Sequence, residues 1–119
     1  ESREEAVGET SRGLRALAKE LGIPVLALVS LNRKCEERGK DKRPMISDIR
    51  ESGTIESDAD TVLLLYRDEV YNAESDDRSV AEVIIGKQRN GPTGTIRLRF
   101  DSSRTRFDNL EDMRREDYA

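Results

Sequence analysis

Leu14, Leu17, Ala18 and Leu21 recur at the i, i+3, i+4, i+7 spacing that lines one face of a helix. Gly22 follows where a left-handed cap would sit, which predicts a first helix over about Glu4 to Leu21. The next run, Ile-Pro-Val-Leu-Ala-Leu-Val from Ile23 to Val29, is continuously apolar rather than alternating, the pattern of a strand covered on both faces in a parallel sheet. A helix followed by a buried strand predicts an α/β fold.

From Asn32 to Arg43 the pattern turns polar, with six basic residues (Arg33, Lys34, Arg38, Lys40, Lys42, Arg43) against three acidic (Glu36, Glu37, Asp41). Pro44 closes this basic loop. Ser47 is placed to cap a short helix through Arg50 and Glu51 that ends near Gly53, and Thr54 to cap one further turn. Thr61 to Tyr66 reads as a second buried strand, central like the first, and Asp68 to Ser79 as an acidic surface loop. Val80 to Lys87 and Thr95 to Phe100 flank Asn90-Gly91-Pro92 and predict an antiparallel edge hairpin, with Ile96, Leu98 and Phe100 on one face. A single core is expected over residues 1–110, with 111–119 a flexible charged tail.

Composition adjusts this picture. Hydrophobic residues make up 34% of the chain, charged residues 39% and aromatics 4%, lean for a self-sufficient globule and suggestive of apolar surface completed by other chain. No apolar run approaches the ~20 residues that cross a bilayer, and Glu1 to Thr10 lacks the features of a signal peptide, so a soluble cytoplasmic protein is expected. The lone Cys35 has no internal disulfide partner. With no histidine in the chain, catalysis within it must draw on Arg, Lys, carboxylates or backbone. The net charge of −4 argues against a wholly basic nucleic-acid coat and leaves only local patches.

Two such patches stand out. In Gly86-Lys87-Gln88-Arg89-Asn90-Gly91, strand alternation puts Lys87 and Arg89 on the same side at a hairpin tip, a pairing suited to a polyphosphate. On residue types alone a solvated basic turn is the plainer reading. Gly86-Lys87 is not a phosphate-binding loop, because Ala81 and Gln88 stand where that motif needs glycine and Ser or Thr, and no other stretch matches it. The second patch joins the basic loop to Arg50-Glu51-Ser52-Gly53, cations beside freed backbone amides that could follow a phosphate backbone. Without aromatics from Asn32 to Gly53 it has no means of stacking on bases. Asp58-Ala59-Asp60 is too sparse for a metal site, and no metal site is expected in this chain.

Taken in order, Arg43-Pro44, Asp48-Ile49-Arg50-Glu51-Ser52-Gly53-Thr54-Ile55-Glu56, Asp58-Ala59-Asp60, Tyr66-Arg67-Asp68 and Gly86-Lys87-Gln88-Arg89-Asn90-Gly91-Pro92 resemble the DnaB family of bacterial replicative helicases, over about Leu14 to Asn109. The resemblance implies part of a RecA-like P-loop NTPase core, parallel strands with helices plus the C-terminal hairpin. It implies a parent that unwinds duplex DNA at the replication fork as a hexameric ring of identical subunits, moving 5′ to 3′ on single-stranded DNA with ATP and Mg²⁺ between subunits. Lys87, Gln88 and Arg89 match the family's nucleotide-contacting tip, with Arg89 as the finger acting on the adjacent subunit's ATP and Lys87 on its γ-phosphate. Arg50, Glu51, Ser52 and Gly53 match the loop that grips the DNA backbone, and primase and a helicase loader are implied partners.

One position departs from the family. Where its members have Ser-Gln-Leu-Asn-Arg, this chain has Val29-Ser30-Leu31-Asn32-Arg33, so Ser30 takes the place of the γ-phosphate-sensing glutamine with a shorter reach. The family's phosphate-binding loop and subunit-docking helix would lie upstream of Glu1. The chain is therefore expected to be an inactive fragment that binds no nucleotide alone and does not form the native ring. A recombinase-like or clock-type ATPase, and a non-catalytic adaptor that docks a loader or primase, are the competing readings.

Overall fold

The computed structural model describes residues 2–110, the side chain of Ser52 excepted, so the expected tail at 111–119 lies outside the described residues. The first helix, α1 (Arg3–Leu21), starts where the Ser2 hydroxyl accepts the Glu5 N–H at 3.1 Å and stops where Gly22 turns left-handed at φ 62°. Glu4 and Glu5 at its start and Lys19 at its end suit the helix dipole. Its buried position is Gly8, where an added Cβ would lie 3.4 Å from Thr54 of a second helix, α2 (Ser52–Asp58). The two helices therefore meet through the first half of α1, and Leu17 and Leu21 of the predicted apolar stripe stay exposed.

Thr61–Tyr66, Val80–Gln88, Gly94–Asp101 and Arg106–Asn109 form strands β1 to β4 of one sheet, in the order β1-β2-β3-β4, every neighbouring pair antiparallel. The predicted hairpin is β2–β3. It is not an edge feature, because β1 and β4 pair along its outer sides and take the edges themselves. Thr61–Tyr66 is a strand as expected but an edge one, with burial that alternates along it. The acidic stretch that follows includes a short helix, α3 (Asp68–Tyr71).

Facing pairs share a side of the sheet, so Val62, Leu64 and Tyr66 lie with Ile84 and Glu82 on one face. Val62, Leu64 and Ile49 are buried there, with Leu31, Ile46, Ile55, Ala59 and Ile84 packed against them. Each such burial contributes about 1.5–3 kcal/mol. On the opposite face Leu63 and Leu65 are 51% and 57% exposed, and Ile96 and Phe107 are also exposed.

Residues 23–30 differ most from expectation. The run forms no ladder among the described residues, and Leu26 and Leu28 are 87% and 92% exposed. A strand buried on both faces needs neighbours at its edges and layers above and below, and residues 2–110 provide neither. The chain is thus an α/β unit whose observed pairing is antiparallel throughout, without the expected parallel ladder. The segment is tied at its start by the Ile23 N–H bond to the Ala18 carbonyl at 3.1 Å, and just beyond its end by a Leu31–Ile49 bridge and an Asn32 N–H bond to the Asp48 carbonyl at 2.6 Å.

The short helix expected to end near Gly53 is replaced by a 3₁₀ turn (Ile46–Asp48), and α2 begins where that helix was to stop. Asp48, not Ser47, organises the turn, accepting the Met45 N–H at 2.7 Å. No helix among the described residues is long and apolar enough to cross a membrane.

Candidate functional site

A bulge decides where the cations of the hairpin tip point. The β1–β2 register runs through Leu64↔Ile84 and Leu63↔Ile85, then jumps to Val62↔Lys87, leaving Gly86 unopposed. Side chains alternate faces along a strand, so this extra residue moves Lys87 from the exposed Leu63 face to the covered Val62 face. Gly86 suits the position because a Cβ there would come within 3.0 Å of Ile46 and 3.3 Å of Leu64. On the covered face the Lys87 ammonium donates to the Glu56 carbonyl near the end of α2. Arg89 pairs with the Asp60 carboxylate at 2.9 Å, and its N–H donates to the Asp60 carbonyl, also at 2.9 Å. Gln88 faces Thr61 instead, and its amide donates to the Pro92 carbonyl at 3.3 Å across the turn.

The other end of α2 carries the second predicted cluster. Arg50, Glu51 and Gly53 line an open, mostly polar depression of about 500 Å³ together with Arg3, Glu4, Asn32, Ser47 and Ile49. Glu51 is left-handed at φ 52° and ψ 46°, and this conformation turns the chain into α2. For a residue with a Cβ it costs about 1–2 kcal/mol, a kind of strain that gathers at ligand-binding segments. Behind the depression Asp48 is 5% exposed. Burial pushes its carboxyl up, but the Met45 N–H and the Arg38 guanidinium together outweigh burial and hold it below the usual carboxylate range.

Much of the charge in the basic loop is used internally. Arg38 reaches Asp48 and the Arg43 carbonyl, and Lys42 donates to the Glu36 and Arg38 carbonyls at 2.6 and 2.8 Å. Arg43 grips the buried Glu82 of β2 through two bonds of 2.8 Å and lies 4.9 Å from the Tyr66 ring centre. Glu82, first among the causes, raises the Arg43 pKa further above its ordinary value. Tyr66 in turn donates to Asp68 at 2.7 Å; burial, then that bond, pushes its hydroxyl up to about 12. Arg33, Lys34 and Lys40 remain exposed, so only part of the loop's charge is displayed to a partner.

The structure thus brings Lys87 and Arg89 to one end of α2 and Arg50, Glu51 and Gly53 to the other. Ser30 lies in the exposed run 23–30 and is not among the residues that line the depression. Sequence reasoning passed over Asp60, Asp48 and Glu82 as participants. The carboxylates of the Asp58-Ala59-Asp60 segment meet hydrogen-bond donors from α1 and from the hairpin tip. Asp58 accepts from the Ser11 hydroxyl at 2.8 Å and from Arg15 through its carbonyl at 2.7 Å, and Asp60 takes Arg89. Among the described residues no group of three or more metal-ligating side chains occurs.

The family model for the DnaB-like helicase C-terminal domain matches residues 1–109. The chain is 60% identical over 114 residues to the replicative DNA helicase DnaB of Haemophilus influenzae, covering 94% of this chain and 24% of that protein. With the Geobacillus stearothermophilus helicase it shares 56% identity over 111 residues, 93% of this chain and again 24% of that protein. The chain therefore spans about a quarter of the length of these curated relatives. Among solved structures, one described as an ATPase domain superposes with a TM-score of 0.88 at 47% identity, covering 92% of this chain and 38% of that one. A DnaB-like replicative helicase described with its interactions with primase gives the same score and identity, over 92% of this chain and 26% of that one. The match across nearly all of the chain, together with the fold it shares, shows that this chain belongs to the DnaB-like helicase C-terminal domain family.

Proposed function

We propose that residues 1–110 are the C-terminal half of a RecA-like motor in a cytoplasmic, ATP-dependent replicative DNA helicase, a hexameric ring that moves 5′ to 3′ on single-stranded DNA and unwinds the duplex at the fork. ATP with Mg²⁺ supplies the phosphoryl transfer in the parent protein. This chain contributes charge from across the subunit boundary: Arg89 neutralises the developing negative charge on the neighbour's nucleotide, and Lys87 holds its γ-phosphate. Gln88 closes the tip that carries them. At the depression lined by Arg50, Glu51 and Gly53, the Arg50-Glu51-Ser52-Gly53 segment takes the DNA phosphates without regard to sequence. Ser30 stands at the γ-phosphate-sensing position and acts there through a water.

The observation that carries this reading is the Gly86 bulge, which turns two cations onto one face at one end of α2 while the other end opens the polar depression. The uncovered apolar sheet face and the exposed run 23–30 fit a unit packed against further chain. One solved relative is described with its interactions with primase, and contacts of the parent with primase and a helicase loader are part of the same proposal.

The test is single-stranded-DNA-stimulated ATP turnover of the complete parent with Arg89→Ala, with nucleotide binding followed separately. Turnover is expected to fall about 10³-fold or more while binding largely survives. Unchanged turnover would reduce Arg89 to a solvated hairpin residue.

A further inference from the structure

The contacts of the tip cations are not scattered. Lys87 donates to the carbonyl of Glu56, and Arg89 is held twice by Asp60, through its guanidinium at 2.9 Å and its N–H at 2.9 Å. Both partners sit at or just beyond the C-terminal end of α2, where unpaired carbonyls and the helix dipole favour cations. The helix is seven residues long, about 10 Å at 1.5 Å per residue, and its other end opens into the Arg50–Glu51–Gly53 depression. Arg15 of α1 reaches the same Asp60 oxygen at 3.4 Å and the Asp58 carbonyl at 2.7 Å. Asp60 therefore keeps a cation beside it when Arg89 leaves.

We propose that Asp60 is a positioning residue that retains the Arg89 guanidinium in the absence of a neighbouring nucleotide, and that exchange of Arg89 from Asp60 to phosphate is sensed through α2 at the DNA-binding end. This rests on the reading of Arg89 given above. Asp60 is a single, exposed carboxylate, and an exposed ion pair is worth only a few-fold in an equilibrium. Several clustered phosphate charges outcompete it readily, so the contact works as a weak brake on the finger. The backbone bond from Arg89 to Asp60 keeps the residue close while its side chain swings, which makes the exchange a local side-chain motion.

The experiment is ATP turnover of the complete parent protein without DNA and at saturating single-stranded DNA, for Asp60→Asn, Asp60→Glu and Arg89→Ala. Freed from its retaining charge, Asp60→Asn is expected to raise DNA-free turnover about three- to fivefold and leave the DNA-saturated rate within twofold, so that the stimulation ratio falls; Asp60→Glu restores most of the ratio. A merely structural Asp60 would lower both rates together with the melting temperature, and that result, or an unchanged ratio, overturns the proposal. Should Asp60→Asn fail to fold, Asp60→Ser carries the same comparison with the same two outcomes. If Arg89→Ala abolishes turnover while the Asp60 variants leave the ratio intact, only the retaining role is wrong. If Arg89→Ala changes nothing, the finger reading itself fails, and the retaining role with it.

Discussion

The two ends of β2 each present an arginine–carboxylate pair, and they serve opposite purposes. Near the start of the strand Glu82 is 7% exposed and holds Arg43 through two 2.8 Å bonds, with Tyr66 beneath the guanidinium. Beyond its end Arg89 meets Asp60, whose side chain is 71% exposed, through one oxygen. Removing one partner from a buried pair leaves an uncompensated charge, whereas an exposed pair is screened and readily exchanged. The same chemistry makes an anchor at one end, fastening the basic loop to the sheet, and a releasable contact at the other.

The largest separation between the two ends is expected from the arginines themselves. Arg89→Ala costs about 10³-fold in turnover with stability within about 0.5 kcal/mol of the unaltered protein, because its pair is exposed. Arg43→Ala does the reverse in kind: it destabilises by about 2–3 kcal/mol, read from denaturant unfolding of the parent, by stranding Glu82. A comparable stability loss for Arg89→Ala would erase the distinction. Gly86→Ala comes next, at about 1–2 kcal/mol, since Ile46 and Leu64 must yield to the new Cβ. Its loss of DNA-stimulated turnover should exceed what that destabilisation explains, because the bulge aims Lys87.

The smallest effects are in the pH dependence. Asp48, Asp68 and Glu69 are all held below their ordinary values of 3.8, 3.8 and 4.5. For Asp48 the Met45 and Arg38 contacts overcome burial; for Asp68 the Ser75 and Tyr66 hydroxyls are responsible, and for Glu69 the Ser79 N–H and Arg67. A depressed folded pKa means stability present above the unfolded value and lost as protons bind. Melting temperature should therefore hold down to about pH 4.5 and fall below it. Tyr66, raised from 10.0 to about 12, gives the opposite sign, with stability present below pH 10 and lost as pH rises towards 12. A Tyr66→Phe variant should remove that alkaline loss in an ultraviolet pH titration followed by melting.

The elements legible in advance were those with local causes. The α1 stripe and the Gly22 cap lie within one turn of each other, and the hairpin is declared by alternation around Asn90-Gly91-Pro92. The positions of these elements were not legible. The apolar run at 23–29 reads as a buried strand whether or not anything covers it, and the pattern of Thr61–Tyr66 does not distinguish an edge from a centre. The helix expected to end near Gly53 was misplaced because Asp48, not Ser47, makes the organising contacts and Glu51 takes the left-handed turn.

Residue chemistry in the sequence alone determined which side chains could meet phosphate: two cations at a turn, a basic loop without aromatics, and no histidine or phosphate-binding loop beside them. Tertiary structure decided which of those cations are displayed. Arg38, Lys42 and Arg43 are consumed by partners up to 39 residues away. Lys87 reaches the α2 face only because the β1–β2 register skips Gly86. Pairing and register depend on contacts between distant segments, and a one-residue slip inverts the face on which a side chain emerges, so local pattern cannot decide it.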